Sequence, residues 1–281
     1  MEQVILPYTS MRVSRLGFGT ASIHHLFREK DRLNLLFAAY DAGITHFDTA
    51  RMYGEGMAES TLGKFMSHCG RSRITIGTKL GFPAKPFAEH LPALMYLEKA
   101  SSSVLRRFGI EKQRERMRDL SPRGAEKSLM KSLRALRTDY VDVLFIHEPS
   151  IHELAKIRDL VPWLEQQKQK GHVRYLGLSG KADVCLAISS MLPECFDILQ
   201  VEDSLVGMDA DALRKAGRAL QITFGYFRRW SEERTYERMD EIYIVRKALE
   251  RNEKGMILFS TRRIERIKKA AAAVEQVCCE I

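Results

Sequence analysis

Asp48, Tyr53, Lys79 and His147 each lie at or just past the end of a short β-like run. Asp48 closes ITHFD, Lys79 closes RITIGTK, His147 closes DYVDVLFIH, and Tyr53 follows Asp48 by five residues in DTARMYG. A carbonyl that accepts a hydride leaves negative charge on its oxygen, so such a site needs a proton donor and cationic support. A free tyrosine, with a pKa near ~10, donates poorly at neutral pH, and a lysine ammonium within a few ångströms favours the phenolate and lowers that value. Tyr53 and Lys79 have the types for this pair. Asp48 suits holding Lys79 charged and in place, and His147 suits hydrogen-bonding the carbonyl oxygen. Singly, each has a plainer reading: rim packing for Tyr53, solvent exposure for Lys79, a satisfied polar group for His147, a helix cap for Asp48. Together, at three successive strand ends, they read as catalytic.

The elements that must position them alternate along the whole chain. Strands are predicted at 13–19, 44–48, 73–79, 140–146, 173–178, 196–201, 221–226 and 256–260. Helices are predicted between and after them at 29–42, 57–68, 122–137, 152–170, 181–191, 209–219, 236–253 and 262–278. Leu129, Leu133 and Leu136 show the 3/4 spacing of a buried helix face, and Pro122 suits a first helical turn. Eight strand–helix units without a linker predict an α/β fold, a (β/α)8 TIM barrel forming a single domain over residues 1–281. An open doubly wound sheet is the alternative, but its GxGxxG fingerprint is missing. Residues 80–121 form a long connection after the third strand. It contains the helix-spaced LPALMYLEKASSSVLRRFG and the charged EKQRERMRD. In a barrel it rises from the catalytic face and reads as a lid, a homo-oligomer contact or a solvated excursion.

Composition narrows the class. The 281 residues are 45% hydrophobic and 29% charged, enough for a large core. No apolar run reaches the ~20 residues of a membrane span, and the N-terminus has no signal-peptide pattern, so a cytoplasmic location is expected. Five scattered cysteines without a CxxC pair argue against a disulfide framework and a zinc site. The formal net charge of +9 comes from basic residues interleaved with acids, a solvated face rather than a nucleic-acid surface. An anionic small molecule is the better reason for the charge.

The segment DTARMYGEGMAESTLGKFM, the TK ending the next strand and the DYVDVLFIH ending the fourth resemble the aldo-keto reductase superfamily. Asp48, Thr49, Ala50, Tyr53, Gly54, Glu59, Leu62 and Gly63 match its pattern DTAxxYGxxxxExxLG. The resemblance extends from Val13 to the final helix and is more specific in the first half. It implies a barrel enzyme that reduces an aldehyde or ketone, with Asp48, Tyr53, Lys79 and His147 catalytic and NADPH (NADP+) as cofactor. Ser179 and Gln200 then match the residues that bind the nicotinamide carboxamide, and Phe224 the aromatic that stacks on the ring. Barrel packing is the other reading of Phe224. Ser260, Thr261, Arg262 and Arg266 match the loop that holds the adenosine 2′-phosphate, with Arg263 as a further candidate. Gly19 and Thr20 end the first strand where the chain passes close under a cofactor or a neighbouring loop.

The sequence departs from the pattern at several points. Gly180 stands where asparagine is usual, Lys269-Ala270 replaces the adenine-binding Glu-Asn, and Glu148 follows His147 where an aromatic is common. Gly225-Tyr226-Phe227-Arg228-Arg229-Trp230 replaces the Ser-Pro-Leu that folds over the pyrophosphate. Many relatives carry a C-terminal loop that walls the substrate pocket; this sequence closes at Ile281, and the expectation is that residues 80–121 or a neighbouring subunit supplies that wall. The expected activity is NADPH-dependent carbonyl reduction. The alternative is a cofactor-binding regulatory or interaction subunit with vestigial reductase activity.

Overall fold

A computed structural model describes residues 1–84, 117–227 and 241–280. Eight parallel strands close into a barrel. In chain order they are β3 (Leu16–Gly19), β4 (His46–Asp48), β5 (Thr75–Leu80), β6 (Val141–His147), β7 (Val173–Gly180), β8 (Ile198–Glu202), β9 (Ile222–Phe224) and β10 (Met256–Phe259). Each hydrogen-bonds to the next, and β10 returns to β3. The helices between them are α1 (Glu29–Asp41), α2 (Met57–Cys69), α3 (Pro122–Leu136), α4 (Leu154–Gln169), α5 (Ala182–Met191), α6 (Asp211–Lys215), α7 (Glu241–Arg251) and α8 (Ile264–Glu280). This is the predicted (β/α)8 barrel. Among the described residues no helix is long and apolar enough to cross a membrane.

Local chemistry sets the boundaries. Ser121 caps α3 by accepting a hydrogen bond from Gly124 N at 3.1 Å, and Pro122 takes the first turn as predicted. Two apolar layers follow from the alternation of strand side chains. The outer one, between strands and helices, includes Phe47, Phe65, Leu129, Ile146 and Leu178. The inner one fills the barrel with Val143, Phe145, Ile198, Ile222, Met256 and Leu258. An antiparallel hairpin of β1 (Gln3–Ile5) and β2 (Arg12–Ser14) adds Leu6, Met11 and Val13 to that inner layer. It closes the end of the barrel where the strands begin, which leaves the other end for function.

Three expectations need correcting. The predicted strand 13–19 is two strands, β2 and β3, broken at Arg15. The Arg15 side chain is buried and donates to Asn252 O and Gly255 O, which turns the corner between hairpin and barrel. Strand β1 was not predicted. The helix expected over 209–219 is only α6, because the chain reverses at 216–218, where Arg218 N bonds Leu213 O. The inserted helix expected within 80–121, and residues 228–230 of the segment that replaces the Ser-Pro-Leu, lie outside the described residues. The described ends of the long connection meet: Asp119 N donates to Gly81 O at 2.9 Å.

Candidate active site

The predicted quartet converges at the carboxyl ends of β4, β5 and β6. Asp48 and Lys79 are only 2% and 3% exposed. Lys79 Nζ donates to Asp48 Oδ2 at 2.5 Å and to Thr49 O at 2.9 Å. The ammonium lies 5.0 Å from the Tyr53 ring centroid. The Tyr53 and His147 rings meet edge to face, with centroids 5.8 Å apart at 82°. Tyr53 reaches this position through a turn that few sequences can form. Gly54, Glu55 and Gly56 are all left-handed, with φ of 58°, 56° and 96°. A Cβ on Gly54 would lie 2.4 Å from His24 Cβ, and one on Gly56 would strike the Arg51 guanidinium at 2.8 Å. Gly54 and Gly56 are therefore steric requirements of the turn that delivers the phenol.

The electrostatics depart from expectation at Tyr53. Lys79 was expected to acidify the phenol. Instead burial, reinforced by the carboxylates of Asp48 and Glu148, holds it well above its ordinary value. The ammonium donates to Asp48 and to Thr49 O, and burial together with the two carboxylates outweighs it at the phenol. Tyr53 thus keeps its proton at neutral pH. His147 is pushed well below 6.5 by burial, Lys79 and Arg118, so its imidazole is neutral there. Burial raises Asp48 and lowers Lys79, while the ion pair opposes both shifts. The assembly brings a protonated phenol, a neutral imidazole and a fixed ammonium together in one cluster, which suits protonation of a carbonyl oxygen.

The next strands add hydrogen-bonding side chains. His147, Ser179 and Gln200 pair across β6, β7 and β8 on one rung. Gln200 Nε2 donates to Ser179 Oγ at 3.1 Å, while Gln200 Oε1 is buried without a hydrogen-bond partner among the described residues. A buried acceptor without a donor is costly, so this atom fits a ligand amide. Phe224 is partly buried and packs on the inner layer. Ser260 Oγ lies 2.8 Å from Ser22 Oγ, and a Cβ on Gly19 would be 3.6 Å from Ser260 Cβ. The hydroxyl of Thr20 already donates to Asp48 O at 3.0 Å.

With this geometry established, the comparisons with known proteins are decisive about kinship. The sequence profile of the aldo/keto reductase family matches residues 15–212. The chain belongs to the aldo/keto reductase family. It is similar to D-threo-aldose 1-dehydrogenase of a Pseudomonas species, 30% identical over 172 residues, which cover 60% of this chain and 50% of that protein. It is also similar to L-galactose dehydrogenase of Arabidopsis thaliana, 30% identical over 178 residues, covering 61% and 46%. The matches thus span about half the length of these relatives. In fold it resembles the holo form of an aldo-keto reductase from Bacillus halodurans, with TM-score 0.71, 20% identity and coverage of 98% and 91%. It likewise resembles an aldo-keto reductase from Klebsiella pneumoniae in complex with NADPH, with TM-score 0.65, 17% identity and coverage of 98% and 89%.

Within this aldo/keto reductase, the departures noted in the sequence have structural causes. A Cβ on Gly180 would lie 3.2 Å from Glu148 Cα and 3.2 Å from Pro149 Cδ. Glu148 takes an unusual φ of 45° and its N–H bonds Ser179 O at 2.6 Å. The Glu148–Pro149 turn thus crowds the position where asparagine is usual. On the far rim Thr261 Oγ1 accepts from Arg263 N at 3.2 Å just before α8, and Arg262 and Arg263 are exposed. Arg266 is ion-paired with Glu241, Nε to Oε1 3.1 Å. The candidate phosphate ligands therefore stand together at one helix N-terminus, apart from the quartet.

Sequence reasoning missed three neighbours of the site. Arg118 packs 4.4 Å over the Phe82 ring and donates to His147 O at 2.7 Å and Glu148 O at 2.9 Å, fixing the strand end. Phe82 stands edge-on to His147, with centroids 5.6 Å apart. His46 is fully buried below Asp48, its Nδ1 2.9 Å from Thr75 Oγ1. Burial and Lys79 push His46 down to about 3. The alternation of β4 side chains could have flagged His46; nothing in the sequence pairs Arg118 with Phe82.

Proposed function

We propose that this protein is an NADPH-dependent oxidoreductase that interconverts a sugar-like aldehyde or ketone and its alcohol. The observation that carries the reading is the Lys79–Asp48 ion pair set against the Tyr53 and His147 rings. A bound NADPH would supply the hydride. Tyr53 gives its proton to the substrate oxygen as negative charge builds there. The neutral His147 hydrogen-bonds that oxygen and orients the carbonyl. Lys79, held charged and in place by Asp48, stabilises the phenolate that Tyr53 becomes. Ser179 and the unpartnered Gln200 Oε1 fit the nicotinamide carboxamide, and Phe224 offers a ring face at the inner wall. Thr261, Arg262 and Arg266 fit the 2′-phosphate at the start of α8. Gly19 and Ser260 border the path between these two halves.

The substrate class follows from the rim and from the relatives' names. Glu148 is exposed beside His147, and its carboxylate acts on both Tyr53 and Lys79. That charge disfavours carbonyl compounds bearing a carboxylate and tolerates hydroxyl-rich neutral ones. An aldose and a galactose appear in the names of two relatives. The test is a panel of aldoses, ketoses, keto acids and simple aldehydes, followed by NADPH consumption, and by NADP+ reduction for the corresponding alcohols and aldoses. Turnover of neutral hydroxylated carbonyls in preference to keto acids is expected. No turnover of any of them would refute the proposal.

A further inference from the structure

A cavity of about 370 Å³ opens at the end of the barrel opposite the quartet. It lies between the reversal after α6, the turn joining α7 to β10 and the tip of the N-terminal hairpin. Its wall carries four cations, Arg214, Arg218, Arg251 and Lys254, and one carboxylate, Glu253. Two of the cations are compensated from behind. Arg251 forks onto Asp203 at 2.8 and 2.9 Å and reaches Asp211 at 2.9 Å, and Arg214 lies 3.9 Å from Asp211.

Arg218 is different. It is half-buried, yet no carboxylate pairs with it among the described residues. Its Nε is buried with no hydrogen-bond acceptor there, and among the described residues its side chain approaches Ser189 Oγ at 3.4 Å. Burial lowers its pKa, with only Tyr8 acting the other way. A desolvated guanidinium with an idle donor is costly unless an anion completes it. The Tyr8 ring stands 5.8 Å from this guanidinium at the rim. Its hydroxyl accepts from Ala219 N at 3.0 Å, although the residue is 64% exposed and sits at φ 64°. The hairpin thus holds an open aromatic face beside an unsatisfied cation.

We propose that this cavity binds a small organic phosphate monoester, with its phosphate on Arg218 and Lys254 and its organic part against Tyr8. A guanidinium donor matches phosphate oxygens, and the cavity has room for more than a bare phosphate ion. The site is separate from the catalytic mouth, where the residues that fit the cofactor lie at the carboxyl ends of the strands.

The test is calorimetric titration of the full chain at constant ionic strength, with saturating NADP+ present to occupy the catalytic face. The probes are AMP, glucose 6-phosphate, inorganic phosphate and adenosine. Both esters are expected to bind, inorganic phosphate more weakly and adenosine not measurably. Arg218→Gln should weaken both esters at least tenfold, and Lys254→Ala, at an exposed turn, severalfold, with carbonyl turnover unchanged in each. Ester affinity unchanged in both variants, or no ester binding to the unmodified chain at millimolar concentration, overturns the proposal. If Arg218→Gln does not fold, Lys254→Ala decides alone, and unchanged affinity in it counts against the site.

Discussion

Replacing Asp48 by asparagine leaves Lys79 as a buried ammonium whose remaining acceptor is Thr49 O at 2.9 Å. Both partners are within 3% of full burial and their charged atoms are 2.5 Å apart, so little solvent is at hand to replace the lost carboxylate. Breaking a buried pair from one side typically costs about 3–5 kcal/mol. Lys79→Met strands the Asp48 carboxylate in the same way. Removing both charges together leaves neither group stranded, so Asp48→Asn with Lys79→Met should cost less than the sum of the single changes by about 2 kcal/mol or more. Equilibrium urea unfolding at pH 7 measures the four proteins on one scale, provided the slope with denaturant stays constant across them. Additive costs, within about 0.5 kcal/mol, would refute the reasoning that the pair is a single buried electrostatic unit.

Two further predictions rest on other parts of the site. Arg266→Ala should weaken NADPH roughly 10- to 100-fold, the worth of a charge-assisted hydrogen bond, with little effect on NADH. Glu241→Gln, which releases Arg266 from its ion pair, should tighten NADPH; fluorescence titration reads both, and equal changes for the two cofactors would remove Arg266 from that role. His46 is held at about 3 against an ordinary 6.5, so it takes up its proton mainly on unfolding. Its stabilising contribution is full above pH 6.5 and is lost as pH falls towards 3. The loss amounts to about 2 kcal/mol at pH 5 relative to pH 8. His46→Gln should flatten the pH dependence of urea stability over that range, and an unchanged slope would place the acid sensitivity elsewhere.

The barrel and the quartet were legible in the sequence for a shared reason. Short buried strands read as apolar runs, and a polar residue closing such a run stands at the rim where strand-to-helix loops begin. Asp48, Lys79 and His147 all carry that signature. Strand β1 did not, because three residues before Pro7 give too little alternation to detect. The break at Arg15 was hidden because its cause is a bond to carbonyls some 240 positions away. The state of Tyr53 was misjudged because residue types place an ammonium near a phenol but do not say which way it points. Arg118 looked like part of a solvated charged run, and only the folded chain lays it over Phe82. Gly180 appeared only as a departure from the usual asparagine, whereas the contact with Glu148 and Pro149 explains why a side chain has little room there.

The central claim is that Tyr53 donates the proton in a carbonyl reduction assembled around Lys79 and His147. Tyr53→Phe keeps the ring and its edge contact with His147 while removing only the hydroxyl. Single-turnover reduction of the best carbonyl substrate, measured with NADPH affinity on the same preparation, isolates that hydroxyl. The account predicts that the rate falls by about 10²–10⁴-fold while NADPH affinity stays within about twofold, far less than the ~1.4 kcal/mol of a tenfold change. A variant that still reduces the substrate at the unmodified rate would contradict it.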